Sequence, residues 1–213
     1  MTRVPAATDV RGVILDFGGV MSNMRWEVAR QLEDRHGLPR RAMFETLYRT
    51  PVWEAIQRGQ GDRQAWLEDA HRLLEARARR ALPRLHEVWR AAQDLIGENI
   101  ALVRALRPVY RTAILSNADA SLRERLRDAH GIHDLFDSIL CSAEVGMAKP
   151  EPAIYRLAAS RLALEPEACV FVDDLAANVT AAETVGMQGI LFRVDRGDSL
   201  TALLAERGIR APG

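Results

Sequence analysis

Asp16 closes an apolar run, Val10-Arg-Gly-Val-Ile-Leu, and the pair Asp173-Asp174 closes another, Cys169-Val-Phe-Val. Ser116-Asn117 follows a third, Arg111-Thr-Ala-Ile-Leu. Lys149 lies between them, in Val145-Gly-Met-Ala-Lys-Pro-Glu-Pro152, just before an expected helix. The 29 basic side chains include this one lysine. In so arginine-rich a chain, a lysine marks a position that can need a compact ammonium rather than a planar fork. Three carboxylates, a hydroxyl and an ammonium can together perform phosphoryl transfer. Magnesium binds through one or two carboxylates and the substrate phosphate. A carboxylate nucleophile can form an acyl phosphate that water then cleaves. A hydroxyl and backbone N–H groups hold phosphate oxygens, and an ammonium offsets the crowded negative charge. Gly18 and Gly19, just after Asp16, let the backbone come close to the phosphate.

These residues need strands to bring them together. Val10 to Phe17 reads as a short buried strand, as do Arg111 to Leu115, Ser138 to Cys141, Cys169 to Val172 and Gln188 to Phe192. Helical patterns alternate with them at Asn99 to Leu106, Ala120 to His130, Pro152 to Leu162, Ala176 to Val185 and Ser199 to Arg207. The fold class expected is α/β: a doubly wound parallel sheet covered on both faces. In such sheets the ligand crevice lies outside the carboxyl ends of the strands, where Asp16, Ser116-Asn117 and Asp173-Asp174 all fall.

From about Arg25 to Asp94 the pattern holds no convincing strand. Trp26 to His36 is amphipathic and stops at Gly37. Pro51 opens a helix at Val52 to Arg58. Asp62 caps a longer one through Trp66, Leu67, Ala70 and Leu74, and Pro83 starts another. All four tryptophans (Trp26, Trp53, Trp66, Trp89) lie here, which predicts a core private to the segment with one or two of them at a cavity. The expected organisation is an α/β core over 1–20 and 97–213, with an α-helical cap over 21–96 inserted after the first strand. Hinges are expected near Gly19 to Asn23 and Asp94 to Gly97.

The 213 residues carry zero formal net charge, which gives no steering toward nucleic acid or an anionic membrane. Cys141 and Cys169 lie far apart in apolar runs and read as small core residues of a reducing compartment. No apolar run reaches membrane-spanning length, and Met1 to Asp9 lacks the apolar stretch of a secretory signal. A cytoplasmic protein is the expectation. Neither the P-loop ending nor the Gly-x-Gly-x-x-Gly run is present.

Four segments carry a specific resemblance: Asp16-Phe-Gly-Gly-Val, Leu115-Ser-Asn117, Gly146-Met-Ala-Lys-Pro-Glu-Pro and Phe171-Val-Asp-Asp-Leu-Ala-Ala-Asn178-Val. In order and spacing they resemble the motifs of the haloacid dehalogenase superfamily. The helical insert resembles that family's cap, and Trp53 to Gly59 is similar to the cap of relatives of sugar-phosphate phosphatases and of the N-terminal phosphatase domain of soluble epoxide hydrolases. The resemblance implies a role for each position. Asp16 would be nucleophile and magnesium ligand, and Gly18 would offer its carbonyl to the metal. Ser116, with Asn117, would bind the phosphoryl group, and Lys149 would bridge Asp16 and the phosphate. Asp174 would ligate magnesium, Asp173 would hold a metal-bound water, and Asn178 would tether the loop or simply face solvent.

One position departs from the family's pattern. Most of its phosphatases carry a second aspartate two residues after the nucleophile as general acid and base, where this chain has Gly18. Such help is worth roughly 100- to 10,000-fold in rate. A good leaving group, a cap residue such as Glu54 or Asp62, or a retired catalyst that still binds phosphate would each account for the glycine. The expected function is a magnesium-dependent phosphatase acting on a small phosphorylated metabolite through an aspartyl-phosphate intermediate. A weakly catalytic or non-catalytic phosphate-binding protein is the alternative. A dehalogenase is disfavoured by the aspartate pair, a mutase by the missing aspartate and a receiver domain by the order of the motifs.

Overall fold

The computed structural model describes residues 9–212. The expectations for Met1 to Thr8 lie outside those residues.

Strand β1 (Gly12–Leu15) is buried along its whole length. It is shorter than the Val10 to Phe17 run, because Asp16 and Phe17 already turn toward Gly18-Gly19. Phe17 and Ser22 close that turn, with the Met21 and Ser22 N–H groups both donating to the Phe17 carbonyl. A two-residue strand β2 (Ser22–Asn23) leads into α1 (Trp26–His36), which ends on Gly37 at φ 65°. Helix α2 (Ala42–Tyr48), unforeseen in the sequence, starts after Arg41; its Met43 N–H and the Arg41 N–H are both held by the buried Glu33 carboxylate. Thr50 caps α3 (Pro51–Ile56) and Asp62 caps α4 (Arg63–Ala78), each accepting a backbone N–H three residues on. Then come α5 (Leu85–Ala91) and the two-residue β3 (Asp94–Leu95).

The second half alternates as expected: α6 (Gly97–Leu106), β4 (Arg111–Ser116), α7 (Leu122–Glu124), β5 (Ser138–Cys141), α8 (Ser142–Val145), α9 (Pro152–Arg161), β6 (Cys169–Asp173), α10 (Ala176–Glu183), β7 (Gln188–Leu191) and α11 (Leu200–Glu206). The helix expected over Ala120 to His130 begins late and widens into a π-turn at Arg125–Ala129. The His130 N–H there reaches the Arg125 carbonyl, and Leu126 and Ile132 are both buried.

Five strands form one parallel sheet in the order β5-β4-β1-β6-β7. Because side chains alternate along a strand, each strand feeds both layers. Val13, Leu15, Ile114, Val170 and Val172 pack with residues of α6 and α11 on one face. Ile14, Ala113, Leu115 and Phe171 pack with residues of α9 and α10 on the other. This is the doubly wound α/β sheet. Cys141 and Cys169 are buried free thiols.

Helices α1 to α5 share a separate apolar cluster that includes Leu47, Trp53, Trp66, Leu74 and Trp89. Trp66 and Trp89 are anchored through Nε1, which donates to the Leu47 carbonyl (2.8 Å) and the Met24 carbonyl (2.6 Å). Both passages between these helices and the sheet run side by side. β2 and β3 pair antiparallel, and Arg25 grips Asp94 through Nε (3.0 Å) and Nη2 (2.6 Å). Two-residue strands leave no periodic trace, so this ribbon was not legible beforehand.

Candidate active site

Strand order brings the carboxyl ends of β1, β4 and β6 next to one another, and the predicted residues with them. Asp16 follows β1 and Asp173 ends the adjacent β6. Between them stands Lys149, 5% exposed, its Nζ 3.0 Å from Asp16 Oδ1 and 2.6 Å from Asp173 Oδ2. Asp174 comes next, and Asp16, Asp173 and Asp174 each offer an oxygen within 4.8 Å of the others. Among the described residues this is the one such group of potential metal ligands.

The three carboxylates differ in what already holds them. Asp173 is fully buried; besides Lys149 it accepts the Leu175 N–H (2.8 Å) and both of its oxygens take a bond from Asn178 Nδ2 (3.0 and 3.1 Å). Asn178 is therefore a tether and does not face solvent. Asp16 accepts the Phe17 N–H (2.7 Å) and Lys149 through Oδ1, leaving Oδ2 without a donor. The Asp174 side chain accepts no hydrogen bond from any other described residue. Asp173 is the fixed member, and Asp16 and Asp174 are the ones with free oxygens.

The electrostatics express the same crowding. Burial, with Asp173 adding to it, raises the Asp16 carboxyl against the pull of Lys149. Burial, followed by Asp16 and Asp173, pushes Asp174 up to about 7. Burial works against the Lys149 ammonium, but Asp16 and Asp173 outweigh it and its pKa is raised. One ammonium facing three carboxylates leaves negative charge uncompensated. Free oxygens on Asp16 and Asp174 together with that charge fit a hard divalent cation.

The loop holding Lys149 is fixed by Asn117. Its Oδ1 accepts the Lys149 N–H (2.8 Å) and its Nδ2 donates to the Lys149 carbonyl (2.9 Å). The side chain expected at the phosphate is thus engaged with the lysine's backbone. Ser116, the last residue of β4, is buried and lines the cleft.

Gly18 and Gly19 differ in what they permit. Gly19 has φ +83°, and a Cβ there would lie 2.5 Å from Asp174 Oδ2. Gly18 has no such backbone constraint, but a Cβ there would meet Met24 Sδ at 3.2 Å. The thioether approaches the space where the family's aspartate would begin.

The site opens into a cleft of about 1020 Å³ running from Asp16, Ser116 and Lys149 to the helices between β1 and α6. Trp26 and Trp53 line it, whereas Trp66 and Trp89 belong to the private core, as the tryptophan distribution predicts. The cleft's arginines carry no positional signal in the sequence, because 29 basic residues are spread along the chain. Arg58 and Glu151, which also line the cleft, pair at 2.6 Å.

A family model described as haloacid dehalogenase-like hydrolase matches residues 6–186. The chain belongs to that family. Phosphatase MT3486 of Mycobacterium tuberculosis is 31% identical over 195 residues, 88% of each chain. Sesquiterpene phosphatase astK of Aspergillus oryzae is 25% identical over 187 residues, 86% of this chain and 90% of that one. Among solved structures, an enzyme of the family from Bacteroides thetaiotaomicron, crystallised with magnesium and inorganic phosphate, superposes with a TM-score of 0.69 over 91% of this chain and 98% of the other at 18% identity. The last likeness supports the fold. With the family established, this chain is a hydrolase, and the four motifs stand at one end of its sheet.

Proposed function

We propose that this hydrolase cleaves phosphate monoesters of a small metabolite, with Asp16 as nucleophile and magnesium as cofactor. The observation that carries the reading is the convergence of Asp16, Asp173, Asp174 and Lys149 at the carboxyl ends of two adjacent strands. Asp16 and Asp174, with the Gly18 carbonyl, are the groups to hold the cation, and Asp173 can take one of its waters. When bound, the cation neutralises phosphate oxygens and aligns the phosphorus with the attacking carboxylate.

Asp16 Oδ attacks phosphorus, the ester P–O bond breaks, and the leaving oxygen departs with the bonding pair. Water then attacks the phosphorus of the aspartyl phosphate, releasing inorganic phosphate and restoring the Asp16 carboxylate. Lys149 steadies Asp16 and the negative charge spread over the phosphoryl oxygens. The Ser116 hydroxyl and the Asn117 N–H are suited to bind those oxygens. Gly18 can supply no proton, so esters whose leaving group departs without one are favoured.

In this reading residues 21–96 act as a cap and 97–213, with the segment before residue 21, as the catalytic core. The cap turns about the β2–β3 ribbon to admit substrate and exclude water.

Hydrolysis of p-nitrophenyl phosphate by the purified protein tests the reading. Turnover that requires magnesium, stops with chelator and disappears in Asp16→Asn supports it. A wild-type protein inert toward activated phosphates in the presence of magnesium rejects it.

A further inference from the structure

The cleft is larger than a phosphate and a small sugar require, since ligand pockets span about 300–1,000 Å³ and the upper end suits drug-sized molecules. Part of its wall is aromatic. Trp26, Phe44, Tyr48 and Trp53 all line it and contact one another edge-on or tilted, at centroid distances of 5.0 to 6.5 Å. Tryptophan, phenylalanine and tyrosine are uncharged at neutral pH, so this wall carries no charge of its own.

The same cleft carries a set of cations, two of them stacked on that wall. Arg30, Arg40, Arg41 and Arg49 line the same cleft, and among the described residues none of their guanidinium groups pairs with a carboxylate. All four are exposed, whereas Arg58, which lines the same cleft, is paired with Glu151. The one buried carboxylate nearby, Glu33, is committed to the backbone N–H groups of Arg41 and Met43. Arg41 and Arg49 both lie over the Phe44 ring, at 5.0 and 5.5 Å from its centroid, which holds two guanidinium groups at one place on the wall. A guanidinium fork left unpaired beside a cavity is matched by a carboxylate or phosphate, which it can grip with two bonds.

From this arrangement we infer a substrate class, resting on the phosphomonoesterase reading above. The substrate is a phosphate ester whose leaving group has a bulky apolar or aromatic body and a second anionic group at its far end. The ester phosphate meets Asp16 and Lys149, the body lies along the aromatic wall, and the distal anion meets Arg41 and Arg49, with Arg30 and Arg40 beside them. An aromatic alcohol also departs readily as its anion, which suits the absence of an acid at Gly18.

The test compares biphenyl-4-yl phosphate with its 4′-carboxy derivative, two substrates of nearly equal leaving ability, alongside p-nitrophenyl phosphate. The expected kcat/KM is about 2- to 25-fold higher for the carboxylated ester at low salt, because each of two exposed charge pairs contributes roughly 1.4- to 5-fold. The preference should shrink as ionic strength rises. In Arg41→Gln/Arg49→Gln the ratio between the two esters should fall toward one. If p-nitrophenyl phosphate is hydrolysed but the wild type treats both biphenyl esters alike, the inference is overturned and the phosphatase reading survives. If none of the three is hydrolysed with magnesium present, the phosphatase reading fails and takes the inference with it.

Discussion

Asn117 holds Lys149 by its backbone, with the amide of one side chain closing a ring with the N–H and carbonyl of the other residue at 2.8 and 2.9 Å. The lysine's ammonium then has only its own flexible stem left to position between Asp16 and Asp173.

Asn117→Ala removes both bonds and leaves the two backbone groups to find water. At about 0.5–1.5 kcal/mol per hydrogen bond, the variant should lose roughly 1–3 kcal/mol of stability. Turnover should fall further than this loss suggests, because the Lys149 ammonium is no longer fixed against Asp16. Paired denaturant melts and kinetics on an aryl phosphate check both effects. A variant that melts early yet keeps wild-type kcat would show that Lys149 is positioned by its acidic partners alone.

Gly19→Ala should damage the acidic cluster from a distance of one methyl group. Its backbone is left-handed, and the new Cβ would sit on the Asp174 carboxylate. The conformation alone costs about 1–2 kcal/mol. Displacing Asp174 should in addition weaken magnesium affinity, measured by calorimetry on the folded protein. Unchanged affinity would remove Asp174 from the ligand set.

Gly18→Asp should be tolerated by the backbone but obstructed by Met24, whose sulfur lies 3.2 Å from the new Cβ. The double variant Gly18→Asp/Met24→Ala frees that space. It should raise hydrolysis of alkyl phosphates relative to aryl phosphates, by up to about 100-fold, since an acid helps most where the leaving group is poor. The ratio of kcat/KM for the two substrate types is the readout. A ratio equal to that of the wild type would mean that protonation of the leaving oxygen comes from elsewhere.

His86 gives a pH dependence separate from the site. Its imidazole is fully buried beside His71, with ring centroids 6.2 Å apart, and neither nitrogen has a hydrogen-bond partner. Burial lowers its pKa from the ordinary 6.5. The unfolded chain therefore binds a proton below about pH 6.5 that the native state refuses, so this contribution to stability falls as pH drops through that value and is flat above it. Thermal melts from pH 5 to 8 should show that slope, and His86→Leu should flatten it. An unaltered slope would assign the acid sensitivity to other groups.

The acidic motif residues were legible because each ends an apolar run, and parallel strands carry such ends to one edge of the sheet. Asp16, Ser116, Asp173 and Asp174 needed no knowledge of side-chain packing. What packing decides was hidden. Nothing in a linear pattern shows that Asn117 reaches the Lys149 backbone, that Met24 sits against Gly18, or that Asn178 faces inward to Asp173. Helix α2 has no local signal in the sequence because its start depends on Glu33, eight to ten residues earlier, supplying the acceptors that a local cap would provide. That Arg41 and Arg49 meet over one ring, Phe44, is likewise invisible in the linear sequence.

The β2–β3 ribbon has a practical corollary for engineering. The chain leaves at Asn23 and comes back at Asp94, and the two are cross-strand neighbours. Antiparallel neighbours are separated by only about 5 Å. A tight two-residue connector can thus join them, deleting five helices in one cut while leaving every strand of the main sheet in its native order.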